Sequence, residues 1–149
     1  MIRKETIPMY QKNDCETLMN TLMPLAEQML KELGDFYPFG ATLSIDGIVS
    51  LTPMNSQGNY QDTKDVMNDL IKTHSAFAKE GCIKASGIVW NGKTQNAEGK
   101  DSDAIIISLE HRDGYAVLVG QPYKRKLFRR FVLSPIFTVE GKSEVFANQ

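Results

Sequence analysis

Between residues 13 and 33, apolar positions recur every three or four residues: Leu18, Leu22, Leu25 and Met29, widened by Met19, Met23, Ala26, Leu30 and Leu33. This spacing predicts a mostly buried amphipathic helix over 13–33. Asn13 is placed to cap it, and Glu16, three residues later, to complete a capping box. Gly34 follows as its C-terminal cap. Pro24 removes a backbone donor inside the stripe, so the pattern leaves open a kinked helix or two shorter ones. A second helix is predicted over 61–80, with Asp62 and Asp65 in its first turn and Gly81 at its end. Its inward face is read as Val66, Leu70, Thr73 and Phe77, flanked by Met67, Ile71 and Ala78. His74 falls at the border of that stripe and reads as a boundary histidine.

Elsewhere the period shortens to two. ATLSIDGIVSL is a predicted hairpin, and register arithmetic selects its turn. A two-residue turn at Asp46-Gly47 would pair Leu43 with Ser50 and divide the apolar residues between faces. A three-residue turn over Ile45, Asp46 and Gly47 pairs Leu43 with Val49 and Ala41 with Leu51, which makes one face apolar. The same argument places a three-residue turn at Arg112, Asp113 and Gly114, pairing Leu109 with Val117 and Ile107 with Val119. His111 then stands opposite Tyr115 at the rim of the core-facing side, while Glu110 and Ala116 point to the other face.

Further strands are read in CIKASGIVW, DAIIISLEH, YAVLVGQ and FVLSPIFTV, with a short return strand at SEVF. NGKTQNAEGKDSD reads as a polar insertion between two of them. The expected fold is α+β: an antiparallel sheet of five to seven strands with both helices on one face, in the order α-β-β-α-β-β-β(-β). The 149 residues fit a single domain, 1–149, large enough for a core without disulfides or metal.

Composition adds mainly exclusions. With 17 basic against 18 acidic residues, the net charge of −1 gives no overall attraction to nucleic acid or anionic membrane. No window approaches the roughly 18 apolar residues of a membrane span, which points to a cytoplasmic protein. Cys15 and Cys82 are far apart and outside any C-x-x-C spacing, so they read as buried or semi-buried thiols, with no metal or cofactor indicated. There is no phosphate-binding glycine loop, no G-x-S-x-G and no H-E-x-x-H, which lowers the expectation of an enzyme.

Local chemistry concentrates in residues 103–131. Lys124, Arg125, Lys126, Arg129 and Arg130 are interleaved with Tyr123, Phe128 and Phe131. That mixture fits a solvated loop or a patch for an acidic partner; the same residues would serve single-stranded nucleic acid, a reading the balanced charge disfavours. The phenylalanines themselves read as core anchors re-entering the sheet. Ile106 and Leu118 make the outer hairpin face half apolar, compatible with a homodimer contact.

At FYPFGATLSIDGIVSL and SLEHRDGYAVLV the chain resembles small bacterial α+β proteins that begin with a helix, pass through a P-F-G-A strand and a D-G turn, and end in a meander. Some of these are similar to immunity proteins, which neutralise a toxin by binding it. The resemblance implies a noncatalytic protein-binding domain, immunity or accessory, and carries over no catalytic motif. The alternative is a small-molecule-binding protein or weak enzyme with a pocket near His111, Tyr115 and the aromatic linker Phe36, Tyr37 and Phe39.

Overall fold

A computed structural model describes residues 7–53, 62–96 and 98–147. It contains two helices, α1 (Met9–Leu33) and α2 (Thr63–Lys79), and strands β1 (Phe39–Ser44), β2 (Val49–Leu51), β3 (Ile83–Gln95), β4 (Asp101–His111), β5 (Ala116–Arg125), β6 (Phe131–Leu133) and β7 (Phe137–Glu140). The seven strands form one antiparallel sheet in the order β2-β1-β3-β4-β5-β6, with β7 also paired to β5. The fold is α+β. Among the described residues, no helix is long and apolar enough to cross a membrane.

Both hairpin registers agree with the arithmetic. Leu43 pairs with Val49 and Ala41 with Leu51, and Gly47 takes φ 84°. Leu109 pairs with Val117 and Ile107 with Val119, and Gly114 takes φ 115°. In each turn the glycine occupies the left-handed position that a side chain would strain.

The two helices lie on opposite faces of the sheet, which corrects the expectation of one. Leu18, Leu22, Ala26 and Leu30 of α1 pack with Ala41, Ala85, Val89, Ile105, Ile107 and Val119. Val66 and Leu70 of α2 pack with Ile88, the neighbour of Val89 and therefore on the other side. Two glycines locate the layers. A Cβ on Gly87 would meet Leu22 of α1, while one on Gly40 would come within 3.0 Å of the His74 ring of α2. β3 permits this because it carries apolar or small residues on both faces, so neither helix could be assigned a side from its own stripe.

α1 begins four residues earlier than predicted, at Pro8 as N-cap, and Asn13 and Glu16 form no capping box. Tertiary contacts hold the extra turn: the Gln11 Oε1 accepts the Tyr115 N–H (3.0 Å), and the Tyr10 hydroxyl donates to Asp113 (2.8 Å). The helix runs unbroken through Pro24, which sits on its exposed side, and ends at Gly34 with φ 78°. For α2, Asp62 is the N-cap, accepting the Asp65 N–H (2.9 Å); position 61 lies outside the described residues. Its buried positions are Val66, Leu70, His74 and Ala78, so the inward face follows i+4 steps, and Thr73 and Phe77 are exposed. The polar insertion is largely strand, with β3 and β4 paired out to Gln95 and Asp101. FVLSPIFTV divides into β6 and β7 around Pro135, and SEVF forms no strand.

A bulge in β3 interrupts its pairing with β1. Leu43 pairs with Ala85 but Ser44 with Ile83, leaving Lys84 as the extra residue. Lys84 consequently reaches Asp14 of α1 (3.6 Å), while Ile83 turns to the opposite side to meet Ala78, Val145 and Phe146.

Candidate functional site

β5 ends at Arg125, with Lys124 paired to Val132 and Arg125 to Phe131 of β6. Arg125 lies over the rings of Tyr123 (5.8 Å) and Phe131 (5.4 Å), and Lys126 N–H donates to the Arg130 carbonyl (2.7 Å) to close a short loop. Within it Leu127–Arg129 form one 3-10 turn in which Phe128 has φ 62° and ψ 38°. Among the described residues it is the one non-glycine with positive φ. Crowding of Cβ makes that conformation cost about 1–2 kcal/mol. The turn displays its apolar side chains outward: Leu127 is 81% exposed and Phe128 93%.

Exposed Lys126 and Arg130 flank this tip, and Lys31 of α1 joins them and Val132 around an open recess of about 870 Å³; Lys124 is exposed on β5. The backbone thus gathers the predicted basic run at one loop; the side chain of Arg129 lies outside the described residues. Phe131 is a half-buried anchor against the main core, as expected, but Phe128 is not. Tyr123 is buried as well, its hydroxyl donating to Asn91 (2.6 Å). Of the three interleaved aromatics, only Phe128 presents a free ring, whereas a nucleic-acid stacking surface uses successive open rings.

His111 is buried and turned toward α1 instead of standing at a rim with Tyr115. Its Nδ1 accepts the Asp113 N–H (3.1 Å), which leaves Nε2 as the protonated nitrogen donating to Asp14 (2.8 Å). Tyr10 packs edge-on against the ring at 5.5 Å. With both nitrogens engaged, His111 has none to offer a substrate. Cys15, next to Asp14, is also buried; desolvation, reinforced by the charges of Asp14 and Glu110, pushes its thiol up to about 12, the opposite of an activated nucleophile. Cys82 is exposed, which corrects its expected burial.

His74 is fully buried between α2 and the sheet, with Nδ1 bonded to Ser86 Oγ and Nε2 to Thr52 Oγ1, each at 2.7 Å. Glu110, on the α2 side as the register required, accepts from the C-terminal segment: Glu144 N–H (2.9 Å), Val145 N–H (2.9 Å), Phe146 N–H (3.4 Å) and Ser143 Oγ (3.3 Å). Each of these constellations ties distant segments together.

Among the described residues, His111, Tyr115 and the aromatic linker, expected to share a pocket, lie apart. His111 shares a row with Ala85, whereas Phe39 pairs with Val89, four residues further along β3. At about 3.3 Å per residue that is roughly 13 Å. Phe36, Tyr37 and Phe39 line a recess of about 700 Å³ beside Asn91 and Lys93, and Tyr115 lines a separate groove against β7. Comparison with protein-family models, curated proteins and solved structures finds no match.

Proposed function

We propose that this chain is a noncatalytic binding domain, of the accessory or immunity type, that docks an acidic partner protein through the loop after β5. The observation that carries the reading is the Leu127 and Phe128 tip: two apolar side chains held in water on a strained backbone, beside Lys31, Lys126 and Arg130. Strain kept at a fully exposed residue favours a role in recognition, because neither core packing nor turn chemistry requires a phenylalanine there. Aromatic anchors dominate interface energetics, and surrounding charge accelerates encounter and selects partners of opposite sign. The engaged histidines and the undissociated Cys15 fit a role without catalysis.

The test starts with a photo-crosslinking residue at position 127 in the native cell, followed by titration of the purified captured protein against the purified chain. Phe128→Ala is expected to weaken that complex by about thirtyfold, the scale of an interface hot spot. Lys124→Glu with Lys126→Glu should weaken it by about tenfold, mainly through slower association. Phe128→Gly should weaken it equally without lowering the unfolding midpoint, since glycine relieves the left-handed strain. A captured protein that bound all three variants as tightly as the parent would refute the docking role, as would capture of nucleic acid or lipid alone.

A further inference from the structure

We propose that the recess at the junction of α1, the linker 34–38 and β3 is a binding site for a small organic ammonium with an apolar body. Its volume of about 700 Å³ falls in the ~300–1,000 Å³ range of small-molecule pockets. The apolar wall is unusually open. Leu33, which belongs to the α1 stripe, is 74% exposed, and Tyr37 is 57% exposed. Both face the recess together with Phe39, so a ligand entering it would cover apolar surface that the fold itself leaves in water.

The polar side is ordered by a chain of hydrogen bonds. Tyr123 Oη donates to Asn91 Oδ1 at 2.6 Å, which fixes the amide so that Nδ2 donates to Asp35 Oδ1 at 2.8 Å. The same Asp35 oxygen accepts the Phe36 N–H at 2.7 Å. Asp35 is therefore held in one orientation, and among the described residues its Oδ2 meets no donor. Such second-tier support is what a preorganised binding group requires. Across the recess Asp103 is paired with Lys93. Among the described residues, the charged side chains lining the recess are thus two carboxylates and one ammonium, a net negative charge that selects a cation over an anion. Arg125, close to Gly34 at this corner, is held over the Tyr123 and Phe131 rings.

This site is independent of the partner loop. The test is titration of the purified chain with 2-phenylethylamine and with 3-phenylpropionate, which share an apolar body and differ in the charge of the head, followed by amide and side-chain NMR. The amine is expected to shift the Asn91 side-chain NH₂ and the Phe36 amide, and the carboxylate to bind at least about tenfold more weakly, the scale of one charge-assisted hydrogen bond. Asp35→Asn keeps an acceptor for Phe36 and Asn91, so the fold persists, but should weaken the amine by about tenfold; Leu33→Ser should weaken both probes. No shift at Asn91, equal binding of the carboxylate, or full affinity in Asp35→Asn would each overturn the assignment.

Discussion

Replacing Glu110 with alanine is expected to detach residues 143–146 and to lower stability by about 3 kcal/mol. The carboxylate is almost fully buried, and a charge taken out of water is tolerated only when donors surround it. Here three consecutive backbone N–H groups and one hydroxyl converge on it, and Val145 N–H reaches the second oxygen as well (3.1 Å). Burial nevertheless raises the Glu110 pKa, with those hydrogen bonds opposing the shift. The anchored segment lays Val145 and Phe146 over Ala78 and Ile83. Without the carboxylate, the N–H groups are left unpaired unless the segment leaves. Leaving forfeits apolar burial worth about 1.5–3 kcal/mol per large side chain, which about 1–2 kcal/mol of regained backbone entropy per residue offsets, so the net loss is set by the hydrogen bonds to the carboxylate. Urea unfolding gives the stability, and amide exchange at 144–146 reports the detachment. Glu110→Gln keeps one acceptor oxygen and should lose about half as much. Persistent protection of the Val145 and Phe146 amides in the alanine variant would show that the segment is held by packing alone.

That anchor illustrates what could and could not be read from the chain. Strand alternation puts Glu110 on the face opposite His111, because the D-G turn at Asp113 and Gly114 locks the register and side chains then follow with period two. What it binds lies more than thirty residues downstream, where SEVF carries strand-forming residues but is bent around a carboxylate. Nothing local encodes that contact. The same limit applies to the helices. Each stripe specifies that a helix is buried, but the side it covers depends on β3, where Ser86 and Ile88 serve α2 and Ala85, Gly87 and Val89 serve α1.

At the candidate loop, the cations were legible as a cluster because they are contiguous in sequence. The exposure of Phe128 was not. Apolar spacing alone makes Phe128 and Phe131 equivalent anchors; the left-handed turn at Phe128 separates them, sending one ring to water and the other to the core. His111 departs from its expected place at the rim for a related reason: alternation puts it on the correct face, but Asp14, which engages it, is on a helix 97 residues away.

Acidification should destabilise the fold through His74, by about 3 kcal/mol between pH 7 and pH 4. Burial between α2 and the sheet lowers its pKa from 6.5 to about 4. The unfolded chain therefore binds a proton below about pH 6.5 that the native chain refuses until about pH 4. Stability from this group is fully present above pH 6.5 and is lost progressively as pH falls to 4. Glu110 acts in the opposite direction, because its raised folded pKa makes proton uptake favour the native state. The two are separated by comparing the parent with His74→Gln, which keeps polar contacts toward Ser86 and Thr52 but cannot titrate. At pH 7 the glutamine variant should be the less stable of the two, since it breaks the packing against Gly40. Toward pH 4 the gap should close by about 3 kcal/mol, read from urea unfolding at each pH. A gap independent of pH would mean that His74 gains its proton without leaving its site, and that Ser86 and Thr52 accept the imidazolium as readily as the neutral ring.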